Sequence, residues 1–305
     1  MRRYILNRII LGIITLIGVS IIVFVASRLS GDVALLYAPP NATKEMLLDI
    51  RIKLGLDQPI PVQYYVFIKD ALVGNFGTSY SYNRPAMEII AGRIPATLEL
   101  GIASFILGNF AGILLGILAA MYRGKWVDWG GRTFSLFGQA VPGFWLAIML
   151  MIVFAVKLHW LPTSGIGGLN HLILPVISTS WFTTSFVLRI TRSSMLDVMD
   201  SEYIKMARLK GNPERVVIWK HAFRNALIPV VTMAGMQLAM LIGGLAFTET
   251  VFNWPGIGIL MVNSISTLDY PMIQAITLLV SAAVVAINLL VDLLFVVIDP
   301  RIKYE

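Results

Sequence analysis

The sequence predicts an all-α fold: a polytopic membrane helix bundle of about six transmembrane helices. Three observations predict it. The 305 residues are 57% hydrophobic, with a mean hydropathy of +0.78. Only 13% are charged, against about 25% in ordinary soluble domains. The apolar residues also fall in runs of about 20, long enough to cross a bilayer as helix. Outer-membrane barrels show segments of about 10 alternating residues instead, and the chain has no such pattern.

The first apolar run, Ile9 to Ala26, follows Arg2, Arg3 and Arg8. It exceeds the roughly 7–15 apolar residues of a signal-peptide core, so it reads as an uncleaved span near 9–28. The other spans are expected near 96–121, 134–157, 172–195, 227–249 and 271–298. Residues 1–28 are then a short tail with the first helix, and 96–298 a five-helix core. That core includes a basic loop at 197–226, and 299–305 is a terminal tail.

Between the first two spans, 29–95 is too long and too patterned for a connector. "TKEMLLDIRIKLGL" reads as an amphipathic helix opened by Thr43 as N-cap and ended by Gly55. Pro59 and Pro61 precede a second helical stretch, which runs out into "GNFGTSYSYNRP". The segment is expected to be a small subdomain on the external, periplasmic side. Tyr80, Tyr82, Asn83 and Arg84, with Trp254 of the last external loop, are its candidate residues for a partner or a pathway entrance. Tyrosines suit that role because they combine contact area with a polar tip.

Basic residues set the sides. With the N-terminus in the cytoplasm, sixteen of the 24 Lys and Arg fall inside, and both termini are cytoplasmic. The net charge of +7 is then an orientation signal, and nucleic acid is not an expected partner. Within the spans, Gly108, Gly112, Gly116 and Ala120 recur every four residues and predict a close helix contact. Gly235, Ala239 and Gly243 repeat the device.

Charged groups in the spans are scarce. Glu99 is expected in the first turn of the second span, beside Arg93, and Asp292 near the inner end of the last. An ion-coupled secondary transporter, the strongest rival on physical grounds, needs ionisable groups near the midplane and broken helices. The chain has no cysteine, so disulfides and thiolate sites are excluded. His159, His171 and His221 fall on different elements and do not suggest a metal site. "FNWPGIGIL" is the one stretch that could line a channel. It reads as a short re-entrant or surface turn with Trp254 at the interface.

The segment "SEYIKMARLKGNPERVVIWKHAFRNALIP", from Ser201 to Pro229, carries six Lys or Arg against two Glu. It reads as two helices around a corner. Ser201 is the expected first N-cap, Glu202 sits in the first turn and Lys210 in the last, and Gly211 suits a left-handed C′ position. Asn212 is expected to cap the second helix, with Pro213 at its first position and Glu214 in its first turn. Physics alone allows two roles, an interfacial helix on anionic lipid or a docking element for a protein.

The segment resembles the cytoplasmic EAA loop of ABC importer permeases. Of the general Glu-Ala-Ala…Gly…Ile-x-Leu-Pro pattern, aligned on Gly211, only Ala207 and Gly211 match. Lys205 and Met206 stand at the other Glu-Ala-Ala positions, and His221, Ala222, Phe223 and Arg224 at the Ile-x-Leu-Pro ones. The peptide/nickel form, close to "ARxKG…HAxRNALIPVVT", fits far better, through Ala207, Arg208, Lys210, Gly211, His221, Ala222, Arg224, Asn225 and Pro229. "MRRYILNRIILGIITLIGVSIIVFVASRLSGD", "GNFGTSYSYNRPAMEIIAGRIPATLEL" and "ETVFNWPGIGILMVNSISTLDYPMIQA" with "DLLFVVIDPRI" extend the resemblance over the whole length. The chain is thus similar to the first permease of dipeptide and oligopeptide importers. The resemblance implies a multi-pass subunit of a bacterial or archaeal inner membrane, surrounded by lipid. It implies a second homologous permease, two cytoplasmic ATPase subunits and an extracytoplasmic substrate-binding protein as partners. ATPase coupling would fall to Glu202, Lys205, Met206, Ala207, Arg208, Lys210, Gly211, Asn212 and Pro213. The sequence has no G-x-x-x-x-G-K-[ST] phosphate loop, so ATP and Mg are expected in the partner subunits. This chain is expected to be no enzyme and to bind no cofactor.

Overall fold

The structure, a computed structural model, describes residues 2–29, 34–35, 38–39, 41–53 and 55–298. Its helices are α1 Arg2–Leu29, α2 Lys44–Lys53, α3 Ile60–Leu72, α4 Ala86–Met121 and α5 Trp126–Ala140. Then come α6 Gly143–Leu150, a π-helical turn Met151–Lys157, α7 Leu169–Met199 and α8 Glu202–Leu209. The chain continues through α9 Glu214–Val216, a second π-helical turn Val217–Phe223, α10 Arg224–Val251, α11 Ile257–Ser266 and α12 Tyr270–Ile298. Among the described residues the only β feature is an isolated bridge between Thr78 and Pro85. Among the described residues, four helices are long and apolar enough to cross a membrane, or five if α5 and the limb from Gly143 to Lys157 count as one bent span.

Two expectations about the spans change. The second span begins at Ala86, ten residues earlier than expected, because Pro95 is accommodated inside α4. Membrane helices tolerate such a proline when neighbouring groups satisfy the freed carbonyl. The expected span 134–157 is two helices bent by 105°. Val141 (φ −82°, ψ 122°) is held extended by Pro142, as residues before proline are. The tail 299–305, with Arg301 and Lys303, and the side chains of Ala239 and Gly243 lie outside the described residues.

The chain forms two compact units, one of residues 1–95 with 256–289 and one centred on 96–255. In the first, Thr43 caps α2 as expected, its hydroxyl accepting the Met46 amide at 3.3 Å. Gly55 closes that helix at φ +64°. Helix α3 lies on α1. Tyr64 shares a 2.7 Å hydrogen bond with Ser20, and Phe24 packs edge-on against Tyr64, centroids 5.4 Å apart. Gln274 on α12 donates to Ser27 on α1 at 2.6 Å. This unit is larger than the 29–95 segment singled out by sequence, since it takes in α1, α11 and most of α12.

In the second unit α7 is the central helix. A Cβ added at Gly108, Gly112 or Gly116 would meet Thr183, Val187 or Thr191 at 2.9, 2.7 and 2.6 Å. The four-residue stripe of α4 is therefore the contact surface for α7. On its other sides α7 meets α5, where Ser135 donates to the Ser185 carbonyl at 3.0 Å, and Gly138 leaves room for the Ser185 side chain. It meets α10 through Thr179 to Thr248 and Thr183 to Gln237, both 3.0 Å.

Gly112→Val should overpack this contact, costing about 1–3 kcal/mol. The thermal unfolding midpoint of the purified protein in detergent should drop, while Gly130→Ala, with nothing near its added methyl, should leave it unchanged. Equal midpoints for both variants would show that α4 and α7 do not pack through the glycines.

Candidate functional site

The basic segment folds as a corner between α7 and α10. Ser201 sits at the N-cap of α8 in extended conformation (φ −73°, ψ 151°). It holds the expected N-cap position, but its hydroxyl makes no capping bond to α8 and turns back to the Val198 carbonyl at 2.6 Å, closing the end of α7. The Ser201 carbonyl takes the Ile204 and Lys205 amides at 3.1 and 3.2 Å instead. Gly211 has the expected left-handed φ of +77°. Asn212 departs from expectation. The reversal at Gly211 points its amide back over α8, where it donates to the Ala207 carbonyl at 2.9 Å. Pro213 (φ −64°, ψ 146°) is therefore the N-cap of α9, and its carbonyl receives the Val216 and Val217 amides at 2.8 and 3.2 Å. Glu214 follows in the first turn, as expected.

Burial sorts the coupling candidates into two groups. Ala207 is buried with Ile204, and the two seat α8 in a core of Ile117, Ala120, Met195, Val217, Ile218 and Ala222. Glu202, Lys205, Met206, Arg208, Lys210, Gly211 and Pro213 are exposed, and Asn212 is half-buried. Two further residues, Tyr203 and Leu209, are exposed beside Met206. Tyr203, Met206 and Leu209 are 52%, 55% and 81% exposed, and their spacing by three lines them along the outer face of α8. That spacing is legible in "EYIKMARL" once the helix is known to be buried through Ile204 and Ala207.

Polar contacts brace the corner. Arg208 donates to both carboxylate oxygens of Glu214 across Gly211, at 3.2 and 2.7 Å, and Lys205 pairs with Glu202 at 2.7 Å. The Tyr203 hydroxyl meets His221 Nδ1 at 2.6 Å, and the two rings pack edge to face. Hydrogen bonding from Arg208 holds the Glu214 carboxyl below its ordinary range, and Glu214 raises Arg208 in turn. What the pair adds is present above the ordinary carboxylate value and is lost as pH falls through the lowered one. Both groups are well exposed, so the contribution is small.

The loop "GTSYSYNRP" is organised by a residue the sequence did not single out. Asp269 is fully buried and accepts the Ser79 hydroxyl at 2.5 Å and the Ser81 amide at 3.2 Å. Ser79, 1% exposed, also accepts the Tyr82 amide at 3.1 Å. Tyr80 is half-buried, Tyr82 is 40% exposed, Asn83 has a left-handed φ of +51°, and Arg84 pairs with Glu88. Trp254 does not belong with them. It is 1% exposed, packs with Ala96, Leu100, Val176 and Leu245, and its indole N–H donates to the Ala96 carbonyl at 2.8 Å. An indole needs such a partner once its ring is buried, and Pro255 with Gly256 turns the chain just after it.

The charged groups expected in the spans also change. Helix α4 starts early, so Glu99 is an exposed residue of its interior and Glu88 takes the first turn. Asp292 is half-buried. Among the described residues the buried carboxylates are Asp128, Glu249 and Asp269, and each has a donor. Thr97 donates to Glu249 at 2.8 Å, and Arg192 and the Gly124 amide to Asp128. Sequence reasoning missed them because each lies at the edge of an apolar run, where a carboxylate reads as solvated.

The sequence matches the family model "Binding-protein-dependent transport system inner membrane component" over residues 112–304 and its N-terminal companion over 1–101. It is 44% identical to the glutathione transport system permease protein GsiC of Salmonella typhi, over the full length of both chains. It is 41% identical to the probable peptide ABC transporter permease protein y4tP of Sinorhizobium fredii, over 99% of each. Among solved structures, the MetNI methionine ABC transporter in an inward-facing conformation matches with a TM-score of 0.56 at 17% identity. That match covers 70% of this chain and 97% of the other. An amino acid ABC transporter crystallised with histidines matches with a TM-score of 0.53 at 13% identity, covering 70% and 94%. Both structures show the shared helical fold.

Asp269→Ala should leave the Ser79 hydroxyl and Ser81 amide without their buried acceptor, at about 1–3 kcal/mol. Amide hydrogen exchange across residues 78–85 should accelerate, with little change in 202–216. Unchanged exchange in 78–85 would refute the role of Asp269. Glu214→Gln, by contrast, should leave exchange across 207–216 almost unaltered, since the positive φ of Gly211 and the Asn212 bond keep the corner; a large increase there would contradict this.

Proposed function

Because this chain belongs to the family of binding-protein-dependent transport system inner membrane components, it is a permease subunit of an ABC importer, and we propose that the corner at Gly211 is the dock for its ATPase. One observation carries the proposal. Helix α8 is fixed in the core by Ile204 and Ala207 and turned by Gly211, yet it presents Tyr203, Met206 and Leu209 outward with Lys205, Arg208 and Lys210 around them. An apolar ridge with a basic rim on a rigid element is the composition of a protein contact. An anionic lipid surface would draw the charges but does not account for a short helix fixed on one face by a buried core and turned by a left-handed corner.

The rest of the assembly follows from this reading. The basic ends of the helices lie in the cytoplasm with both termini, by the positive-inside rule. Residues 29–95 lie on the external side and receive the binding protein through Tyr80, Tyr82, Asn83 and Arg84. A second permease completes the pathway, and two ATPase subunits hold the ATP and Mg. This chain hydrolyses nothing and binds neither. Its relatives' names, glutathione permease and peptide permease, support glutathione-sized peptides as the cargo. An ion-coupled carrier is not favoured by any of these observations.

Gly211→Val strains the left-handed corner by about 1 kcal/mol or more, and nothing lies within 4 Å of the added Cβ, so the cost is one of backbone conformation. In the reconstituted transporter, uptake should fall, and ATPase subunits should either co-purify poorly or hydrolyse without transport. Leu209→Asp should weaken ATPase co-purification while the permease stays folded. Normal uptake with normal ATPase stimulation in both variants would remove the dock from this corner.

A further inference from the structure

Asp128 is 1% exposed, at the third helical position of α5, and carries more contacts than a cap requires. Its Oδ1 accepts Arg192 Nε at 2.5 Å, and its Oδ2 accepts Arg192 Nη2 at 3.0 Å and the Gly124 amide at 2.9 Å. Arg132 Nη2 adds a 3.2 Å ion pair. One carboxylate thus joins the turn after α4, the start of α5 and the basic end of α7. The same turn is tied to α7 again further along, where Arg123 Nη1 donates to Asp200 Oδ2 at 3.0 Å. Asp200 ends α7, and α8 begins two residues later.

The turn at 122–125 is therefore strapped to α7 at Arg192 and at Asp200, on the stretch from which the corner helix hangs. The two straps differ in kind. Arg123 and Asp200 are more than half exposed, whereas Asp128 is shielded from solvent and held by a two-pronged guanidinium contact. A forked, buried pair resists sliding and rotation far better than an exposed single bond. Displacement of α8 by a partner would move the end of α7, and through Arg192 it would move α4 and α5 together.

We propose that Asp128, through Arg192, is a positioning group for coupling: it makes the ends of α4, α5 and α7 move as one piece with the corner helix, so that force at Gly211 reaches the membrane helices. The proposal rests on the docking role given to the corner above. It assigns Asp128 a part in transmission, and none in binding nucleotide or cargo.

The test uses the whole transporter in proteoliposomes, with its binding protein and ATPases, and measures substrate transported per ATP hydrolysed. Asp128→Asn keeps the size of the side chain and an acceptor for Gly124 but removes the ion pair. The ratio should fall by about tenfold or more while ATPase subunits still co-purify, the signature of a lost coupling energy between sites. Arg192→Lys keeps the buried charge but loses the fork, and should lower the ratio less, by about fivefold. It decides the matter if Asp128→Asn fails to assemble. An unchanged ratio in whichever variant assembles, with uptake and hydrolysis falling together or not at all, would overturn the proposal and leave Asp128 a brace for folding alone. Gly211→Val in the same assay separates the two readings. Normal coupling there sinks the dock itself, whereas lost coupling there with an unchanged ratio in Asp128→Asn and Arg192→Lys sinks only the present inference.

Discussion

The close approach of α4 to α7 is the constraint on which the second unit depends. Gly108, Gly112 and Gly116 let the backbone of one helix rest on Thr183, Val187 and Thr191 of the other. In a bilayer no hydrophobic force separates helix from lipid, so packing of this kind has to hold the bundle together. The consequence reaches the functional end. Helix α8 begins three residues beyond the end of α7, and its buried residues Ile204 and Ala207 rest partly on Ile117, next to Gly116, and on Ala120, one turn further. The glycine stripe thus fixes both the helix from which the corner hangs and the floor on which it sits.

Polar groups within the apolar units serve the same end. Ser135 with the Ser185 carbonyl, Thr179 with Thr248 and Thr183 with Gln237 fix the rotation of α5 and α10 about α7. Individually such bonds are worth about 1 kcal/mol in a membrane protein. Their value lies in direction, because apolar packing alone leaves a helix free to slide or turn. The carboxylates Asp128 and Asp269 do the same for turns, each gathering donors from residues distant in sequence.

Much of this was legible in the sequence because it rests on local physics. Apolar runs mark helices, Thr43 marks a cap, Gly55 and Gly211 mark left-handed turns, and a four-residue small stripe marks a contact. The failures share one cause, choices made by tertiary contacts. Asn212 could cap either helix, and the reversal at Gly211 gave its amide to Ala207. Pro95 and Pro142 look alike as residues, yet one is carried inside α4 and the other breaks a span by 105°. Trp254 reads as an interface residue until its N–H finds the Ala96 carbonyl. The candidate residues, Met206 among them, were reached through the family resemblance, while Tyr203 and Leu209 stand out beside Met206 only when the opposite face of α8 is seen to be buried.

The proposed dock requires the outward face of α8 to meet the ATPase and its inward face to stay clear of it. The chain has no cysteine, so a single thiol reports one position at a time. In the assembled transporter, Leu209→Cys treated with a short bifunctional crosslinker should give an adduct with an ATPase subunit, and its thiol should be shielded from a water-soluble maleimide. Ala207→Cys should give neither adduct nor labelling. Free maleimide labelling of Leu209→Cys in the complete assembly, with no ATPase adduct in any nucleotide state, would contradict the account.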